Sequence, residues 1–351
     1  MSTLLVTGGA GFIGSAVVRR LVDEGRRVVT VDKLTYAGSL ASLGDALHHP
    51  LHRFEQVDVC DAEALRAVFA RTSPAAVLHL AAESHVDRSI DAPAAFVRTN
   101  VLGTFTVLQE SLRYWRALPP ESAAGFRVVH VSTDEVYGEL GADGRFTEDS
   151  PYRPNSPYAA SKAAGDHFAR AWHRTYGLPV ITTNCSNNYG PYQFPEKLIP
   201  LAIRSALAGR PVPVYGRGSN VRDWLYVDDH VRGLLLALER GEPGATYAFG
   251  GGEERTTLQM VHAVCALLDE LAPRGRPYAE LVTHVPDRPG HDFRYAIDAR
   301  RASDALRWAP AETLESGLRR TVAWYLEHEE WCERVTAGRY AGERVGLGAT
   351  T

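Results

Sequence analysis

The triplet Thr133-Asp134-Glu135 places a hydroxyl and two adjacent carboxylates directly after an apolar run, 128–132, that reads as a buried strand. Tyr158 and Lys162 follow at i and i+4, a spacing that puts both on one helix face. A tyrosine at its reference pKa of about 10 is a poor base near neutrality. A neighbouring ammonium stabilises the phenolate, lowers that value and lets Tyr158 take a hydroxyl proton. Successive residues of a strand point to opposite faces. For both carboxylates to serve one pocket, the strand must therefore end near Thr133 and the chain must turn. Adjacent carboxylates split their pKa values, leaving one protonated and one ionised, which supplies a general acid and a general base. A redox tyrosine with a spare acid and a spare base suits oxidation, loss of water and re-reduction in one pocket.

A redox partner is implied at the other end of the chain. Gly8, Gly11 and Gly14 give G-x-x-G-x-x-G between the first strand and an amphipathic helix. In that position glycines allow a tight turn, close approach of backbone N–H groups to a pyrophosphate, and close helix packing. Asp32 ends the second strand, where a carboxylate accepts hydrogen bonds from an adenosine ribose and repels a 2′-phosphate, favouring NAD over NADP. Lys33 beside it is a counter-signal, since a base could meet a phosphate. Asp58, after the third strand, is placed either to bind the adenine amino group or to cap a helix. The positive nicotinamide of NAD would add to the effect of Lys162 on Tyr158.

Around these residues the first half of the chain alternates apolar strands at 4–7, 27–31, 53–57, 75–80, 128–132 and 180–184 with helical patterns, notably 94–115 and 158–176. That alternation predicts right-handed crossovers and a parallel sheet covered on both faces, with ligands at the carboxyl ends of its strands. Beyond residue 185 turn-rich stretches interrupt the rhythm, with shorter helices at 198–207 and 314–327. Residues 1–185 therefore read as a Rossmann-type, doubly wound α/β domain to which some later chain returns, and residues 186–335 as a smaller C-terminal substrate-binding lobe. Residues 336–351, with four glycines and little apolar material, read as a disordered tail.

A net charge of −4 gives no electrostatic case for nucleic acid. No apolar stretch reaches the roughly 18 residues of a membrane span. The N-terminus runs straight into a strand without a basic region or cleavage pattern. Cys60, Cys185, Cys265 and Cys332 lack metal-ligand or redox-motif spacing, so we expect buried thiols, no metal and a cytoplasmic protein.

The segments TGGAGFIG, DKLTYAG, LAAESHVDRSI, STDEVYG, YAASKAAGDH, NCSNNYGPYQFPEKLIPL, VYGRGSNVRDWLYVDDH and DRPGHDFRYAID span most of the chain. Together they resemble the dTDP-glucose 4,6-dehydratases of the extended short-chain dehydrogenase/reductase superfamily. The resemblance implies that Tyr158, helped by Lys162 and Thr133, oxidises carbon 4 of the glucose. Glu135 then removes the acidified carbon 5 proton, Asp134 protonates the leaving carbon 6 hydroxyl, and the hydride returns to carbon 6. It implies NAD contacts at Phe12, Ile13, Asp32, Lys33, Leu34, Thr35, Asp58, Val59, Leu80, Ala81, Ala82, Thr99, Tyr158, Lys162 and Asn188. Implied substrate contacts are Ser84, Thr133, Asp134, Glu135, Asn187, Lys197, Leu198, Pro213, Tyr215, Arg222, Thr257, Asp287, Arg288 and His291. Arg222 and Arg288 suit diphosphate oxygens, and Tyr215 suits stacking on the pyrimidine. Thr257 departs from the family's usual asparagine and offers no amide fork. Family members also form homodimers through a four-helix bundle, here the helices at 94–115 and 158–176.

Two other readings remain. One keeps the fold and changes the reaction to a UDP-sugar 4,6- or 5,6-dehydratase or a 4-epimerase; the acid pair argues against simple epimerisation. The other is a non-catalytic NAD-sensing protein, against which stands a complete catalytic set.

Overall fold

In a computed structural model of the chain, residues 2–338 and 340 are described. The strands are β1 (Thr3–Thr7), β2 (Arg27–Asp32), β3 (His52–Gln56), β4 (Ala76–His79), β5 (Arg127–Thr133), β6 (Val180–Cys185), β7 (Asn187–Tyr189), β8 (Val212–Tyr215), β9 (Val221–Tyr226), β10 (Thr246–Phe249), β11 (Glu254–Thr256) and β12 (Val282–Val285). Seven of them form a parallel sheet in the order β10-β6-β5-β4-β1-β2-β3. Strand order reverses beside β1, which pairs with both β2 and β4, and so a crevice opens there at the carboxyl ends.

Alternation along each strand builds the two faces. Leu4, Val6, Val28, Leu78, Val129 and Val131 join one apolar cluster, whereas Leu5, Val29, Val77, Val128 and Val180 join the cluster on the opposite face. The returning chain is substantial. Val231, Leu234, Leu235 and Leu238, from the helix Val227–Arg240, pack into the first cluster, and β10 pairs with β6. A further apolar cluster draws its buried residues from beyond residue 185, where the helices Leu198–Leu207, Thr257–Leu271, Leu314–Glu327 and Glu329–Thr336 pack with β8. Two small sheets run β11-β9-β7 and β12-β8.

Two local readings change. The helix expected at 94–115 is broken: Pro93–Phe96 and Thr104–Ala117 flank a wide π turn over Val97–Gly103. The extra residue per turn carries Thr99 and Asn100 into the interior. Asn100 Nδ2 donates to Ser161 Oγ at 2.8 Å and its Oδ1 accepts from Glu83 N–H at 2.8 Å. Of the tail expected at 336–351, Thr336 ends a helix, Ala337 and Gly338 form a turn and Tyr340 packs on Phe194; positions 339 and 341–351 lie outside the described residues. No helix among the described residues is long and apolar enough to cross a membrane.

Candidate active site

The glycine loop is shaped by backbone proximity. Gly8 has φ +70° and its N–H donates to Val31 O at 2.8 Å. A Cβ on Gly8 would sit 2.6 Å from Ala81 N, and one on Gly14 would sit 2.1 Å from Gly8 O. Gly9, absent from the sequence reading, is as constrained, with a Cβ 2.7 Å from Thr30 Cγ2. Gly11 N–H closes the turn onto Gly8 O, and the helix Phe12–Asp23 starts there without a side-chain cap. Its first N–H groups therefore face the crevice, as a pyrophosphate requires.

Asp32 accepts from Ala10 N–H at 3.0 Å and from Leu34 N–H at 2.8 Å, tying the loop after β2 to the glycine loop. Burial raises its pKa, against those two bonds. Lys33 Nζ donates to Thr99 Oγ1 at 3.0 Å and lies 3.8 Å from Asp58 Oδ2, so its charge is already engaged. Asp58 accepts from Cys60 N–H, while the next helix is capped by Asp61. The capping alternative for Asp58 therefore does not apply.

One continuous cleft collects most of the expected residues. Gly8, Gly11, Phe12, Ile13, Gly14, Asp32, Lys33, Thr35, Val59, Leu80, Ala81, Ala82 and Thr99 line its first half. Ser84, Thr133, Glu135, Tyr158, Lys162, Asn187, Asn188 and Lys197 line the second. The glycine cradle, the bare helix start and the carboxylate closing β2 fit a dinucleotide. Glu83, Cys185, Ser186 and Glu196 also line the cleft and were missed; Glu83 and Glu196 lie inside quoted motifs, beside residues that were chosen.

The turn demanded of the acid pair is present. β5 ends at Thr133, whose Oγ1 accepts from Glu135 N–H at 3.3 Å, and Asp134–Tyr137 form one 3₁₀ turn. Glu135 thereby enters the cleft with Tyr158 and Lys162. Asp134 stands one layer behind, 2% exposed, with Oδ1 3.4 Å from the Thr133 hydroxyl and Oδ2 unpaired. Burial, then Glu135 and Asp223, push the Asp134 carboxyl well above its ordinary value. Burial also raises Glu135, opposed by Arg288, Arg222 and Lys197. Both carboxyls are thus raised, with the stronger hold on a proton at Asp134.

Tyr158 departs from expectation. Burial, then Glu135, hold it well above the usual phenol value, and the Thr133 hydroxyl only partly opposes them. The protein alone keeps a phenol, because lost solvation and the neighbouring Glu135 carboxylate disfavour the phenolate. Lys162 Nζ donates to Val131 O at 2.8 Å; burial lowers its pKa and Asp166, one turn further along the helix, raises it.

The remaining residues come from beyond residue 185. Leu198 opens the helix next to Lys197, whose Nζ donates to Ser84 O at 2.9 Å. Pro213 and Tyr215 lie on β8, and Tyr215 donates its hydroxyl to Asp87 Oδ2 at 2.9 Å. Arg288 places NH1 3.0 Å from Asp87 Oδ1, close but poorly aligned for a hydrogen bond. Arg222 donates to Asp292 O at 3.0 Å and lies over the Tyr295 ring. His291 pairs with Asp287 at 2.6 Å, and burial pushes it down to about 4. Thr257 N–H donates to Asn220 O at 2.9 Å. The field at Glu135 shows that Lys197, Arg222 and Arg288 converge on it from separate elements.

A family model described as GDP-mannose 4,6 dehydratase matches residues 5–321. The dTDP-glucose 4,6-dehydratase of Neisseria meningitidis serogroup B is 56% identical over 355 residues, covering 99% of this chain and 100% of that one. The Escherichia coli dTDP-glucose 4,6-dehydratase is 52% identical over 358 residues, covering 98% and 99%. Among solved structures, DesIV, a dTDP-glucose 4,6-dehydratase from Streptomyces venezuelae with NAD and TYD bound, is 47% identical with a TM-score of 0.86, covering 95% of this chain and 99% of that one.

Proposed function

The chain belongs to the dTDP-glucose 4,6-dehydratase family, and from that premise we propose that Thr133, Asp134, Glu135, Tyr158 and Lys162 carry its reaction. The reaction converts dTDP-glucose to dTDP-4-keto-6-deoxyglucose by oxidation at carbon 4, elimination of water across carbons 5 and 6, and hydride return to carbon 6. The observation that carries the assignment is the end of β5 at Thr133, whose following turn puts Glu135 into one cleft with Tyr158 and Lys162.

Bound NAD supplies the hydride acceptor at carbon 4, the donor at carbon 6 and a positive charge that lowers the Tyr158 pKa. It is held by Gly8, Gly11, Gly14, Asp32 and the walls from Phe12, Ile13, Val59, Leu80, Ala81, Ala82 and Thr99. Tyr158 Oη takes the carbon 4 hydroxyl proton, with Lys162 and Thr133 orienting it. Oxidation makes the carbon 5 proton acidic, and Glu135 removes it while Lys197, Arg222 and Arg288 offset the charge. Asp134, kept protonated by burial beside Glu135, gives its proton to the leaving carbon 6 oxygen when the sugar lies against Thr133. Ser84 and Asn187 face the sugar, Arg222 and Arg288 the diphosphate, and Tyr215 the base. Thr257, Leu198, Pro213, Asp287 and His291 frame that second-lobe site.

Substrate deuterated at carbon 4 is the test. The label is expected at carbon 6 of the product without added reduced cofactor; label lost to solvent would overturn the assignment.

We also place the chain in a homodimer. Val97, Leu102 and Phe105 are 58%, 47% and 37% exposed and share an apolar groove with Ala94, Val101 and Phe168. That groove lies on the two helices implied for the bundle. Replacing Phe105 by Asp buries a charge if the face is covered. Sedimentation should then shift from dimer to monomer, and an unchanged dimer would move the interface elsewhere. Four unpaired cysteines suit a reducing cytoplasm.

A further inference from the structure

The loop after β2 does more than present Asp32. Its inner residues Thr35, Ala37 and Gly38 line the cleft beside Asp32. Its ends are fastened: Gly38 N–H donates to Thr35 O at 3.1 Å, and Ser39 N–H donates to Ala10 O at 3.0 Å on the glycine loop. Between them Tyr36, which is not among the residues lining the cleft, packs against the apolar cluster formed beyond residue 185. There the Phe194 ring meets the Tyr36 ring edge-on at 5.6 Å. The Arg88 guanidinium lies over the same ring, 4.0 Å from its centre. The Tyr36 hydroxyl donates to Glu196. Glu196 is buried and also accepts from Arg88 Nε at 3.0 Å. The ring is thus held by an aromatic edge, a cation and a carboxylate that are themselves bonded together.

This arrangement joins three separate parts of the chain: the cofactor loop, the short helix Val86–Asp91 after β4, and the segment that leads to Lys197. The adenosine side of the cleft cannot open by a swing of the loop unless Tyr36 leaves all three partners. The chemistry makes such a closure useful. Oxidation at carbon 4 and reduction at carbon 6 share one cofactor, so a cofactor lost between them ends the turnover without product.

We propose that Tyr36, clamped by Arg88, Glu196 and Phe194, is a lock that sets how long NAD stays bound, separate from the residues that do the chemistry. The inference rests on the NAD site and dehydratase reaction described above. Glu196 lines the cleft as well as holding the lock, so substrate that engages the Lys197 end bears on the same contacts.

The test measures NAD exchange on the purified holoenzyme. Protein carrying its NAD is mixed with excess isotopically labelled NAD, and replacement is followed by mass spectrometry. Tyr36→Ala should speed replacement by about ten-fold or more, the change that ~1.4 kcal/mol gives. Tyr36→Phe keeps the ring contacts and loses only the bond to Glu196, so it should fall between Tyr36→Ala and the wild type. Melting curves of the cofactor-free proteins identify a folding defect; if Tyr36→Ala does not fold, Tyr36→Phe alone decides. Exchange at the wild-type rate in the folded variants would overturn the lock. Transfer of label from carbon 4 to carbon 6 in the wild type tells the two ideas apart: intact transfer with unchanged exchange sinks only the lock, and failed transfer sinks the reaction assignment beneath it.

Discussion

Asp134→Asn separates a protonated acid from an ordinary buried carboxylate. The wild-type side chain is 2% exposed, has one oxygen unpaired, and faces Glu135 and Asp223. Its pKa therefore lies well above the ordinary 3.8. For such a group the folded chain binds more protons than the unfolded chain at every pH between the two values. Its contribution to stability is complete below the unfolded value and is lost as pH rises towards the folded one. Inside that window one proton is at stake, and the slope is about −1.4 kcal/mol per pH unit. Asparagine has nearly the same shape and no proton to lose. Urea unfolding of the cofactor-free proteins, followed as pH rises from the unfolded value towards the folded one, should therefore show the variant gaining on the wild type by up to ~1.4 kcal/mol per unit. Activity should move the other way, since losing a positioned acid costs about 10²–10⁴ in rate, or ~3–5 kcal/mol of barrier. Parallel stability profiles would refute the protonated Asp134, and wild-type turnover would remove it from the reaction.

On the proposed roles, Glu135→Gln should keep the first oxidation and remove the base for carbon 5. Elimination should slow by about 10²-fold or more, with reduced cofactor building up on the enzyme after substrate is added, read by its absorbance. Gly14→Ala puts a Cβ 2.1 Å from the Gly8 carbonyl, and neither backbone has room to yield. A cost of ~1–3 kcal/mol should appear as less NAD in the purified protein and a lower melting temperature.

Much of this could be read from local signals. The strands at 4–7, 27–31, 128–132 and 180–184 fall within one or two residues of β1, β2, β5 and β6, because buried parallel strands are short runs of apolar residues bounded by turns. The helix around Tyr158 follows from Ser156, which caps it through Ala159 N–H, and from Pro157 in its first turn. The π turn at Val97–Gly103 left no such mark. Gly103 is its closest signal: a Cβ there would sit 2.8 Å from Val59 Cγ2, a contact between distant segments. Glu196 was passed over because a glutamate beside a chosen lysine carries no sign of being buried.

The sequence by itself determined the glycine cradle, the carboxylate at the end of β2, the acid pair at the end of β5 and the Tyr158–Lys162 face, since each depends on spacings of a few residues along one element. Tertiary structure alone decided that Asp134 stands behind Thr133 while Glu135 reaches the cleft, that Lys197, Arg222 and Arg288 share one field, and that Tyr36 packs on the apolar cluster formed beyond residue 185. Those outcomes join residues far apart in the chain, where burial and partner charges set protonation and position, and neither quantity is a property of a short stretch of sequence.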